Sequence, residues 1–188
     1  MEILVVLAIF SVFMVLAIDL ILTINRIQRE TRMSERVLSE SRFILNTIAS
    51  EVRSGRIDYE AYGDPVDPED AISNPTDELI LVDYNLERVR IKEDINFCPS
   101  PESTPCLLIS RDDGLSWASM TPLGVRLVGI KFIITPDQDP FYFNGIDYLA
   151  SRQPMVTVVL ALENTEELGV GEFILHNQTT ISQRKYGR

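Results

Sequence analysis

An apolar run of membrane-spanning length opens this chain. Residues 2–18 read EILVVLAIFSVFMVLAI, and the run continues to Ile24 with only Ser11, Asp19 and Thr23 breaking it. A helix that crosses the hydrocarbon core of a bilayer needs about 20 apolar residues, and residues 3–24 supply that length. Everything downstream must therefore be read as what such a segment carries. Glu2 stands at its rim, where a carboxylate is costly in lipid and is normally paired or functional. Asp19 either faces a partner helix or lies at the bilayer interface; Asn25 and Arg26 follow closely and favour the interface.

No Gly or Pro occurs between Met1 and Ser54, so nothing interrupts a helix before Gly55. Residues 25–36 are polar on nearly every face, with Arg26/Glu30 and Arg36/Glu40 at i,i+4 spacing. An apolar stripe then appears at Val37, Ser41, Ile44, Ile48 and Val52, widened by Leu38 and Leu45, which is the spacing of one helix face packed on a domain. At 1.5 Å per residue, a helix of about 50 residues runs roughly 75–80 Å. Three segments follow: a transmembrane lower helix (1–24), an amphipathic upper helix (25–55) and a β-rich head (56–188).

The head reads as strands and turns. Residues 79–82 and 88–91 flank Tyr84-Asn85-Leu86 as a hairpin, and residues 107–110 and 116–120 flank Asp112-Asp113-Gly114 as a second. Residues 125–135 alternate with Arg126 and Lys131 on a wet face or edge. Residues 155–162 form a buried-strand candidate, and residues 173–181 close the domain. Short connections favour an antiparallel meander, so the expected fold is α+β, with one sheet burying a face against the upper helix.

Charge narrows the function. Residues 25–56 carry seven Arg against four Glu, whereas residues 57–188 carry ten Lys or Arg against 22 Asp or Glu. So acidic a head disfavours nucleic acid and keeps the protein soluble among neighbours. The Arg residues after the apolar run place the C-terminal bulk in the cytoplasm by the positive-inside rule. The cysteines argue the other way. Cys98 and Cys106 flank a Pro- and Ser-rich loop and are either two separate thiols or one disulfide; the even count and turn-rich spacing favour the disulfide and an oxidising compartment. Composition alone leaves this conflict standing.

Little supports catalysis. His176 is the only histidine, with no nucleophile elbow or Gly-rich loop to complete a triad. Asp137/Asp139 and Asp64/Asp67/Glu69/Asp70 could offer oxygen ligands to calcium, but neither matches the calcium-loop template, and solvated acidic loops explain them better. One histidine also cannot complete a zinc set. Asn177-Gln178-Thr179 fits a glycosylation triplet but sits inside a predicted strand. Trp117 and Phe141-Tyr142-Phe143 read as core or rim residues. We expect no enzyme, no cofactor and no resident metal.

The first ten residues, Met1-Glu2-Ile3-Leu4-Val5-Val6-Leu7-Ala8-Ile9-Phe10, resemble the N-terminal signal of type IV pilins and type II secretion pseudopilins. In that family a glycine precedes the cleavage point, a short apolar lead brings a glutamate, and an apolar run of this composition follows. Further on, residues 40–53, 121–134, 153–158 and 178–184 are similar in order to minor subunits, in particular J-type minor pseudopilins and related minor pilins. The motif at the start is the specific part; the remainder is looser and touches most of the chain.

The resemblance implies a structural subunit that is cleaved by prepilin peptidase, methylated on its new N-terminal amine, held in the bacterial inner membrane with its head extracytoplasmic, and drawn into a filament through an assembly platform. Its partners would be membrane lipid before assembly, then other minor subunits and the major pilin or pseudopilin, with a place at or near the tip. Glu2 would pair with a neighbouring N-terminal amine. Met1 stands where the residue before the glutamate belongs, so we expect either that the reading frame starts upstream or that this sequence is a fragment, the missing leader also resolving the charge conflict. The lower helix lacks the proline of many major pilins, which favours a minor subunit. The alternative is a single-pass anchor bearing an extracytoplasmic binding or sensory domain, with Glu2 incidental.

Overall fold

The computed structural model describes residues 2–63, 71–98, 104–142, 152–164 and 173–184. One helix, α1 (Glu2–Ser54), runs without interruption for 53 residues. It stops where the backbone of the next element comes too close for a side chain. A Cβ added to Gly55 would lie 3.0 Å from the carbonyl oxygen of Val82, so the turn into the head is built on the one residue that lacks Cβ. The Gly55 N–H still donates to the Glu51 carbonyl at 2.8 Å, closing the last helical turn.

The head has β1 (Arg56–Ile57), a single 3-10 turn (Tyr59–Ala61), β2 (Glu78–Val82), β3 (Arg88–Asp94), β4 (Cys106–Ser110), β5 (Ala118–Ser119), β6 (Val125–Thr135), β7 (Met155–Asn164) and β8 (Ile174–Ser182). All described pairings are antiparallel. The fold is α+β. The expected single sheet is corrected to two, a five-stranded one in the order β1-β2-β3-β4-β5 and a three-stranded one in the order β6-β7-β8. Both hairpins form, but β5 keeps only two residues of the run expected at 116–120.

The upper half of α1 lies on the three-stranded sheet. Val37, Ser41, Ile44, Ile48 and Val52 are fully buried, as are Val156, Val158, Leu160 and Leu162 of β7. Ser41 sits within this apolar seam because its Oγ accepts a hydrogen bond from Asn177 Nδ2 at 3.1 Å. Asn177 therefore serves the helix–sheet contact. The five-stranded sheet joins the same core through Leu79, Leu81, Ile91 and Leu107.

A bulge sets the phase of β6. The register with β7 shifts between Leu127 and Gly129, so Arg126 and Lys131, five positions apart, share the solvent face instead of lying on opposite ones. Arg126 then reaches Glu163 Oε2 at 2.6 Å and supplies the charge that this largely buried carboxylate needs. At the start of β6, Gly124 has φ 87, and an added Cβ would stand 2.8 Å from the Arg36 guanidinium. That close approach lets Arg36 donate to the Leu123 carbonyl at 2.7 Å and tie the base of the head to α1.

Candidate assembly interface

The two halves of α1 obey opposite rules. Above Met33 one face is sealed in the head; below it, the large apolar side chains from Ile3 to Ile27 are all exposed, between 45 and 77 %. This lower half is long and apolar enough to cross a membrane. Burying a Leu, Ile, Val or Phe side chain is worth about 1.5–3 kcal/mol relative to water, so a bare helix of this kind requires lipid or other helices around it. Beyond its first turn, its backbone polar groups are already satisfied within the helix, as a bilayer demands.

Glu2 is exposed in the first turn of α1. A carboxylate is compatible with the unpaired N–H groups of that turn. Asp19 is also exposed, about 26 Å further along at 1.5 Å per residue. The following polar stretch satisfies itself locally: Arg26 Nε pairs with Glu30 at 3.0 Å, Thr31 Oγ1 donates to the Ile27 carbonyl at 2.9 Å, and Ser34 Oγ donates to the Thr31 carbonyl at 2.8 Å. It forms an exposed stretch of α1 between the apolar lower half and the head.

Cys98 and Cys106 are joined by a disulfide with S–S 2.06 Å. It closes the loop between β3 and β4, at the end of the five-stranded sheet where Asp94 faces Cys106. His176 lies on the exposed face of β8 opposite Ala161. Asp137 is exposed, and its backbone carbonyl accepts from Ile72 N–H at 3.0 Å; the half-buried Asp139 uses Oδ1 to accept from Phe141 N–H at 2.9 Å. Asp64, Asp67, Glu69, Asp70 and Phe143 lie outside the described residues. Among the described residues no three His, Cys, Asp or Glu side chains gather into a metal set. Trp117 is half-buried with the Lys92 ammonium 4.7 Å above its ring.

One feature of the head is invisible to sequence pattern. An open cleft of about 600 Å³ lies at the end of the five-stranded sheet nearest the top of α1, lined by Arg56, Asp58, Glu87, Arg88, Asp113 and Leu115 among others. Arg88 Nε bonds Asp58 Oδ2 at 2.7 Å, with Asp113 3.8 Å away. Asp83 Oδ1 accepts from the N–H groups of Asn85 and Glu87 at 2.7 and 3.0 Å, and the tight turn forces Leu86 to φ 68. Leu86 and Leu115, 75 and 89 % exposed, flank the opening. Asp58 and Arg88 lie 30 residues apart, so only folding brings them together. Among the described residues every buried side-chain polar atom has a partner, and the cleft's lining, with two Arg against five Asp or Glu, stays acidic.

The long N-terminal apolar helix and the antiparallel sheets are compatible with a pilin-like fold. Comparison with protein-family models, curated proteins and solved structures finds no match for this chain.

Proposed function

We propose that this protein is a structural minor pilin or pseudopilin subunit, which assembles through its N-terminal helix into a type IV pilus or type II secretion pseudopilus, at or near the tip. The observation that carries this reading is the split character of α1. Its upper stripe is fully buried in the head, and its lower apolar half has no cover of its own. Lipid suits that half before assembly, and a bundle of like helices suits it afterwards. The exchange costs little hydrophobic burial, because lipid tails and apolar side chains are equally dry.

Such a bundle needs a register, and Glu2 supplies it. An isolated carboxylate in an apolar bundle is strongly disfavoured, so it would be matched by a neighbouring subunit's N-terminal amine at one axial position. The disulfide supports an oxidising, extracytoplasmic location for the head. The subunit acts by packing, not by catalysis. Substituting Glu2→Ala in the full chain should abolish incorporation into filaments while the protein stays at parental level in the membrane. Incorporation at the parental level would overturn the assembly role.

The cleft beside Leu86 and Leu115 is the observation that favours the second reading, a membrane-anchored binding or sensory domain. That reading expects Glu2→Ala to leave the protein's behaviour unchanged.

A further inference from the structure

The two sheets have four lateral edges, and the fold treats them unequally. The five-stranded sheet ends in β1 and β5, each two residues long. The three-stranded sheet ends in β6 and β8. Along β6, Thr76 and Phe132 exchange backbone hydrogen bonds at 2.8 and 2.9 Å. Two residues earlier the Asn74 side-chain amide imitates a strand, its Nδ2 donating to the Ile134 carbonyl and its Oδ1 accepting from Ile134 N–H, both at 2.8 Å. The β6 edge is closed at this point. β8 is different. Its nine residues pair with β7 in a register without a shift, and among the described residues no backbone hydrogen bond reaches its other side.

Exposed edges are normally protected by short length, charge, proline or a bulge. Ile174–Ser182 reads ILHNQTTIS and has none of these, although residues 57–188 carry 22 acidic and ten basic side chains. Hydroxyl and amide groups line the strand, and Thr180 Oγ1 already meets Thr157 Oγ1 of β7 at 2.8 Å. A strand laid outside β8 would extend that arrangement. Any charged side chain on it would find no counter-ion along β8, so the fitting occupant is itself uncharged.

Direction selects among occupants. Asn177 bonds Ser41 in the middle of the upper helix, and Gln183 Oε1 accepts from Ile57 N–H just past the helix end. β8 therefore rises in the same sense as α1. Antiparallel pairing of β8 with its own copy would point one anchor helix away from the membrane that holds the other. A strand that descends towards the membrane has no such conflict.

We propose that the outer edge of β8 is a strand-addition site for an uncharged, extended segment of a different subunit, running antiparallel to β8 and towards the membrane. This rests on the assembly reading above. The test compares amide hydrogen exchange of the full chain, alone in detergent micelles and within filaments isolated from cells that produce the whole assembly. Alternate amides of residues 174–182 should slow by about tenfold or more on assembly, with the β3 amides as an unchanged reference. Gln178→Lys, on the exposed face, should remove that protection and lower filament incorporation about tenfold by placing a charge at the edge. It should leave the head's unfolding temperature unchanged, and Gln178→Ser should behave as the parent. Equal exchange in both states, or parental incorporation of Gln178→Lys, overturns the proposal. Protection that appears in the isolated chain as its concentration rises assigns the edge to a second copy and also overturns it. If Glu2→Ala blocks incorporation while Gln178→Lys does not, the assembly reading stands and this site falls; if neither blocks it, both fall.

Discussion

Two aspartates outside the apolar N-terminal segment show how single side chains tune the head. Asp94 is held down to about 2, first by its hydrogen bond with the Lys92 ammonium and then by the Asn96 and Ile95 N–H groups. Asp112 is held down to about 2 by the Ser116 and Ser110 hydroxyls and the Ser116 N–H. Both carboxyls titrate near 3.8 when unperturbed. A depressed folded value means that the unfolded chain binds protons first as pH falls, so the stabilisation is complete above about 4 and disappears between about 4 and 2. Thermal unfolding of the parent and of the Asp94→Asn, Asp112→Asn double variant should therefore differ at pH 7, with the parent more stable, and converge near pH 2. A constant difference across that range would mean that the aspartates act through shape and not charge. The sequence shows the Asp112-Asp113-Gly114 turn but not these partners, because hydroxyl and N–H groups are aimed only once the turn has closed.

Among the elements, α1 carries the greatest structural weight. Its stripe is legible in sequence because a helix repeats every 3.6 residues, so Val37, Ile44, Ile48 and Val52 declare one face without knowledge of what covers it. Ile48→Ala should cost about 2–4 kcal/mol, the usual range for truncating a fully buried branched side chain to Ala. Phe43→Ala, on the exposed face of the same turns, should cost less than about 0.5 kcal/mol. Chemical denaturation of the two variants measures the contrast, and equal losses would contradict the helix–sheet packing described above. The strands divide differently. Val125–Thr135 is readable to the residue, since alternation survives on either side of its bulge. The separation of β6-β7-β8 from the other strands is not readable, because period-two alternation looks the same in one sheet as in two. The strand-like closure of β6 by Asn74 and Thr76 is hidden for a related reason: about 60 residues separate the partners, and no local period spans that distance.

The molecule as a whole is a folded head on a half-clothed rod. Buried side chains begin at Met33, and the lower apolar residues contribute nothing to the core. The head also carries most of the net negative charge, which favours solubility. A chain starting at residue 33 should therefore be soluble without detergent, monomeric by size-exclusion chromatography, and close to the full chain in head unfolding temperature. The full chain should need detergent or lipid. Aggregation of the shortened chain with loss of its β circular dichroism would show that the lower helix supports the head after all.

Sequence alone determined the apolar segment of membrane-spanning length, the length of the helix, its buried stripe, most strand positions and the acidic character of the head. These follow from composition and short-range periodicity, which act along the chain before any distant contact forms. Tertiary structure decided the division into two sheets, the mixed-charge cleft at the hairpin tips, the pairing of Ser41 with Asn177, and the contrast between the closed edge of β6 and the outer edge of β8, which no backbone hydrogen bond among the described residues reaches. Each depends on hydrogen bonds or charges meeting across tens of residues, and only the folded backbone brings them within reach.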